Sequence, residues 1–284
     1  MSSSSSQPTV VPSLAARVRR RARRNTLEAT QRVHRDLLRA TRNPFTSRAD
    51  RPLIVHCGYH KAGTVWFREV LSSVVRPYGL RFQEVKKEPI RSDTDIAFCA
   101  DSRDYRNDLL GHRLFRGSHM VRDPRDLVVS GYEYHLVTEE AWAHQPRPAY
   151  RGMSYQAYLH SLSEHDGLMA EIEWVAKFTA RLMTAWDYGQ PEYLELRYEE
   201  ALADEQGTFQ KVFQWYGFNE IATSIGLEAV DRLSLKRGGA IPNHVRSGAP
   251  GEWRTRLAPE HIARFKELTG DLTIRLGYET APDW

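Results

Sequence analysis

Pro52-Leu-Ile-Val-His-Cys57-Gly58-Tyr-His-Lys61-Ala-Gly63-Thr64-Val-Trp66-Phe67 reads in one pass as a strand, a tight turn and the start of a helix. Its first part, Leu-Ile-Val-His-Cys, is a nearly unbroken apolar run of strand length, the pattern of a strand buried on both faces. Over residues 65–75 the apolar side chains fall at 66, 67, 70, 71, 74 and 75, which is helical spacing, and Pro77 and Gly79 are expected to stop that helix. Between strand and helix, a glycine-bearing turn aims several backbone N–H groups at one point, and the helix N-terminus adds partial positive charge there. Such a nest suits a phosphate. Gly63 lets the backbone approach a ligand, Thr64 offers a hydroxyl in the first turn, and Lys61 can reach a bridging oxygen of a bound anion. The order differs from the G-x-x-x-x-G-K-[ST] loop of nucleotide triphosphatases, because here Lys61 precedes the glycine.

Outward from this stretch the same unit recurs. Residues 114–121 read as a second strand that passes through Asp123-Pro124 into a second helix carrying Leu127, Val128 and Tyr134, with Pro124 at the first helical position, which it tolerates best. Further helices are expected over 155–162, 169–186 and 205–215, and another short strand over 193–196. Strands alternating with helices imply an α/β fold, a parallel sheet with helices on both faces. At 284 residues, one catalytic domain over 51–284 and an extension over 1–50 account for the chain.

Hydrophobic residues make up 41% and charged residues 27%, as in soluble globular proteins, and no apolar run is long enough to span a membrane. The formal charge is +4 with a pI near 9.0. The excess sits at the start: residues 1–51 hold twelve Arg against Glu28, Asp36 and Asp50. The extension opens with the run Ser2 to Ser6 and becomes an Arg-rich stretch whose Leu27, Val33, Leu37 and Leu38 indicate a helix. It reads as a disordered tail followed by a basic helical arm, without the order of a signal peptide. Few of its apolar residues can dock, so removal of residues 1 to about 45 is expected to leave stability nearly unchanged. Cys57 and Cys99 are the only cysteines, too few for a disulfide framework or thiolate metal site, and a cytoplasmic location is expected.

His60-Lys61-Ala62-Gly63-Thr64-Val65-Trp66 resembles the 5′-phosphosulfate loop P-K-x-G-T-[TS]-W of sulfotransferases that use 3′-phosphoadenosine 5′-phosphosulfate (PAPS), with His60 for proline and Val65 for the second hydroxyl residue. Val121-Arg122-Asp-Pro124-Arg125-Asp126-Leu-Val-Val-Ser130 resembles the family's 3′-phosphate signature. Asp123 and Ser130 lie nearly two helical turns apart, so Ser130 returns to the face where the strand end presents Arg122. Arg125 is expected to be solvated or ion-paired and off the ligand. Tyr198-Glu199-Glu200 resembles a Y-E-D segment whose tyrosine lies near the adenine. Arg246-Ser247-Gly248-Ala-Pro-Gly251-Glu252-Trp253 resembles the R-K-G-x-x-G-D-W loop that closes over the 3′-phosphate. The signatures occur in the family's order, so the chain is identified as a member with a single P-loop-like sulfotransferase domain.

The resemblance implies PAPS as co-substrate, no metal, and transfer of a sulfuryl group to a hydroxyl or amine of an unidentified, small-molecule acceptor. Nucleic acid is not an expected partner, and the oligomeric state is not specified. Where family members often place an aromatic residue against the adenine, Leu233-Ser-Leu235-Lys236 offers leucine, and the dimerisation pattern of cytosolic members is absent after Trp253. The implied cofactor-binding residues are Lys61, Ala62, Gly63, Thr64, Val65, Trp66, Arg122, Ser130, Tyr198, Arg246, Ser247 and Gly248. Lys61 is also expected to act in catalysis by stabilising the leaving 5′-phosphate. Small-molecule members carry a Thr-His pair where this chain has Cys99-Ala-Asp101-Ser102; other members use a glutamate at the end of the strand after the first helix, where Glu84 stands. Glu84 is therefore the first candidate base and Asp101 the second. The competing readings are a P-loop-like nucleotide kinase and an inactive nucleotide-binding module.

Overall fold

The computed structural model describes residues 14–47, 51–86, 88–100, 110, 113–237 and 248–284. Its centre is a five-stranded parallel sheet of β1 (Leu53–Cys57), β2 (Phe82–Glu84), β3 (Ile96–Cys99), β4 (Phe115–Val121) and β5 (Tyr193–Arg197), in the order β2-β3-β1-β4-β5. The apolar run of β1 takes the middle position, all five residues buried, with Val55 opposite Ala97 on one side and Gly117 on the other. Alternation along the strands separates two cores. Ile54, Ile96, Phe98, Met120 and Leu196 face one way, into a cluster with α2 (Thr64–Tyr78), α8 (Glu205–Tyr216) and α9 (Glu220–Arg232). Leu53, Val55, Cys57, Ala97, Cys99 and Tyr193 face the other way.

Helix α2 follows β1 after the turn and runs two residues beyond Arg76, because Pro77 falls in its last turn. The helix ends where Gly79 takes a left-handed conformation (φ 61°) and returns its N–H to Arg76 and Val75 carbonyls. Helix α3 (Pro124–Val137) follows β4, with Asp123 as N-cap accepting the Arg125 N–H. Beyond it come α4 (Tyr155–His160) and α5 (Glu164–Val175), then a π-turn over Ala176–Ala180 that passes directly into α6 (Arg181–Ala185). Thus the helix expected over 169–186 is one segment with a widened turn inside it. Short α7 (Tyr198–Ala203) leaves β5, and α10 (Trp253–Arg256), α11 (Pro259–Thr269) and α12 (Leu272–Arg275) close the chain. Strand β3 and helices α9 and α11 were not anticipated from the sequence.

The Arg-rich extension forms α1 (Leu14–Thr41), and its carboxyl end does not stand clear of the domain. Arg39 holds Asp95 through Nε and Nη2 at 3.0 and 2.8 Å. Phe45, only 3% exposed, enters the main core 5.6 Å from the Phe218 ring. Around it the backbone is stitched to the turn between α8 and α9, with Asn219 N–H on Pro44 O (2.7 Å) and Thr46 N–H on Gly217 O (2.9 Å). A division at residue 50 is therefore too late: the docked part begins near Arg39, and the single aromatic at position 45 supplies what periodicity did not reveal. Phe45→Ala is expected to cost about 3–5 kcal/mol, whereas removal of residues 1–30 should leave the denaturant midpoint unchanged; urea titrations of both variants check this.

Candidate active site

Strands β1 and β4 end side by side, and each hands its chain to a helix at the same edge of the sheet. The turn after β1 is tight: Lys61 has φ 65° and Gly63 φ 81°. A left-handed lysine costs on the order of 1–3 kcal/mol and persists only where its surroundings fix it. At Gly63 a Cβ would lie 3.1 Å from the Tyr198 ring, so the close approach as well as the dihedral demands glycine. The first intrahelical bond of α2 runs from Phe67 N–H to Gly63 O, at 3.0 Å. The N–H groups of Thr64, Val65 and Trp66 precede it and have no acceptor within the helix.

Arg122, the first residue beyond β4, is 3% exposed. Its Nη1 donates to Lys61 O (3.1 Å) and its Nη2 to Ala249 O (3.3 Å), and its guanidinium lies 4.5 Å over the Tyr198 ring. Its Nε is buried without a hydrogen-bond partner among the described residues. The Tyr198 hydroxyl donates to Gly248 O at 2.9 Å. Gly63, Arg122, Tyr198 and Gly248 thus meet around one ring.

The segment from Gly248 onward is tied to α3. Asp126 accepts the N–H of Gly251 (2.6 Å) and of Trp253 (3.1 Å). Burial raises the Asp126 pKa, against the pull of these two donors and of Arg122. Arg125 is buried and paired with Asp123 (2.7 Å) and Glu279 (2.5 Å), its guanidinium in the corner formed by the nearly perpendicular rings of Trp253 (3.8 Å) and Trp284 (4.3 Å). Glu199 accepts the Asp123 N–H and the Tyr278 hydroxyl, both at 2.9 Å. Lys61 Nζ rests 4.2 Å over the Tyr134 ring. Burial, with Arg122 adding to it and Glu140 opposing, pushes the Lys61 pKa down to about 8. Two cations converge with helix N–H donors at a strand edge, which is a receptor for a multiply charged anion.

A family model for the sulfotransferase domain matches residues 119–277, more than half of the chain. The chain belongs to the sulfotransferase family. It is a PAPS-dependent sulfotransferase, and the nucleotide-kinase reading falls. The match begins in β4, so the Lys61 loop stands on its own motif and geometry. Among solved structures, the mouse sulfotransferase SULT7A1 complexed with PAP shares the fold, with 18% identity over 83% of this chain and 87% of that one and a TM-score of 0.51. Retinol dehydratase in a complex with retinol and PAP matches at 14% identity, over 78% and 80%, with a TM-score of 0.45. No curated protein sequence matches.

The sulfotransferase brings Lys61, Ala62, Gly63, Thr64, Val65, Arg122, Tyr198 and Gly248 to this edge, with Ser130 half-buried on α3. Two of the expected residues are buried. The Trp66 ring is in the core, 5.0 Å from Phe209, with its indole N–H buried and without a hydrogen-bond partner among the described residues. The Tyr198 ring is 2% exposed, under the Arg122 guanidinium and beside Gly63. Glu84 ends β2, at an edge of the sheet; its carboxylate is half exposed and pairs with Arg68 at 3.3 Å. Asp101, Arg246 and Ser247 lie outside the described residues. Arg125 is ion-paired as expected, but buried. Sequence reasoning missed Asp126 and Glu140, although the first stands in the quoted signature and the second ten residues after Ser130.

Because the Lys61 pKa is lowered, its ammonium is charged at pH 7 and is lost as pH rises through about 8. Affinity for 3′,5′-adenosine bisphosphate should therefore decline above about pH 8, and Lys61→Arg should remove that decline. Calorimetric titrations from pH 6.5 to about 9.5, which bracket the free-protein value, measure it.

Proposed function

We propose that this sulfotransferase moves the sulfuryl group of PAPS to a hydroxyl or amine of a small-molecule acceptor in the cytoplasm. The observation that carries the residue assignment is Arg122: a buried guanidinium whose Nε has no acceptor among the described residues, beside Lys61 and the start of α2. That orphan donor fits the 3′-phosphate, with Ser130 as a second donor. Lys61 and the N–H groups of Thr64, Val65 and Trp66 fit the 5′-phosphosulfate. In the transfer a bond forms between acceptor oxygen and sulfur while the bridge from sulfur to the 5′-phosphate breaks. Charge grows on the departing phosphate, and Lys61 is the group placed to stabilise it. No metal is required, because Lys61 and Arg122 already supply positive charge.

The proton leaving the acceptor needs a carboxylate or imidazole within reach. Glu84 keeps first place from its position at the end of β2, where it pairs with Arg68. Glu140 is a second candidate on a specific observation, its electrostatic contact with Lys61 beside Tyr134. Tyr134 and Trp142 then form part of an acceptor wall, as the aromatic richness of residues 132–162 implies.

Labelled PAPS with an acceptor panel, without added metal, tests the reaction; no transfer to any small acceptor would remove this reading. Lys61→Ala should lower the rate about 10²–10³-fold for every acceptor, since the leaving group is common to all. Glu84→Gln should slow alcohols strongly and phenols less, because a phenol is partly ionised at high pH. If Glu140→Gln shows that selectivity and Glu84→Gln does not, the base is Glu140. Arg122→Ala should weaken 3′,5′-adenosine bisphosphate about 10- to 150-fold, and more than the analogue lacking the 3′-phosphate.

A further inference from the structure

Helix α1 carries more charge and more exposed apolar surface than its docking to the domain uses. Between Arg17 and Arg24 the sequence holds six Arg and no acid. Of the two acids in the helix, Glu28 and Asp36, the second is taken by Arg81 at 3.0 Å. Among the described residues, docking uses the last turns: Leu38 packs over Gly79, Arg39 binds Asp95, and Arg42 donates to Pro77 O. Val33 and Leu37 take no part and stand 70% and 58% exposed. They are four residues apart, as are Ala29 and Val33, so they form one stripe; Ala15, Val18, Ala22 and Thr26 continue it at helical spacing. An apolar stripe on an otherwise strongly basic helix is the design of a segment that lies in a bilayer interface.

We propose that α1 binds the surface of an anionic phospholipid bilayer, with the Ala29, Val33 and Leu37 stripe among the acyl-chain ends and the Arg side chains on the headgroup phosphates. Charge complementarity selects a polyanionic surface, and the exposed valine and leucine select lipid over nucleic acid, since a phosphate backbone has no use for them. The placement is compatible with turnover. Arg81, Asp93 and Asp95 lie where β2 and β3 begin, whereas Lys61 and Arg122 lie where β1 and β4 end, so a membrane held by α1 meets the sheet edge opposite the site.

Co-sedimentation of the full chain with phosphatidylcholine vesicles, with and without phosphatidylserine, tests this. Binding is expected only with phosphatidylserine and should fall about tenfold or more between low and high salt, as Arg contacts with anionic headgroups are screened. Val33→Asp and Leu37→Asp, both at exposed positions, should each reduce vesicle binding about tenfold or more. Affinity for 3′,5′-adenosine bisphosphate, unchanged in both, would show that the domain is intact. Equal binding to uncharged vesicles, vesicle binding indifferent to both Asp variants, or binding to duplex DNA with none to vesicles would overturn the proposal.

Discussion

One aromatic ring holds the active edge together. Tyr198 has the Gly63 backbone against its ring, the Arg122 guanidinium over it and Gly248 O on its hydroxyl. These three partners come from the turn after β1, the end of β4 and the C-terminal segment, which are far apart in sequence and adjacent only because the strand order is β1-β4-β5. Glycine at 63 is then doubly required. Arg122 closes the arrangement by donating to carbonyls of both Lys61 and Ala249, so the residue fitted to the ligand also fixes the loops around it.

The cost of this arrangement is electrostatic. Burial, and after it the neighbouring Arg122, make Lys61 give up its proton more readily than a free lysine does. An anion would reverse that, so part of the binding energy is relief of strain already present in the free protein. Neighbouring charges, by contrast, are fully paired: Arg125 with Asp123 and Glu279, and Asp126 with two backbone donors. Buried ions that satisfy each other brace the site, and those left partly unsatisfied mark where a ligand fits.

Motif and periodicity made the central strand, the two strand-turn-helix units and most of the anion-binding residues legible, because each depends on local sequence. The features that stayed hidden depend on distant partners. Strand β3 has four residues and is held in place by β1 and β2 on either side. Phe45 looks like part of a polar extension and packs in the core against Phe218, and the tryptophan at 284 finds its partners in Arg125, Trp253 and Lys266.

The π-turn at Ala176–Ala180 has a consequence for the whole fold. In an uninterrupted helix Met183 would point within about 20° of Ile172, eleven residues earlier. The widened turn absorbs one extra residue and rotates the succeeding turns by about 100°. Ile172 therefore packs with Val128, Tyr155 and Phe265, while Met183 packs with Tyr59, Leu127 and Leu276. A single rod is in this way geared to two compartments, one under the aromatic wall and one under the phosphate turn, so a change that restored regular winding would throw the two out of phase.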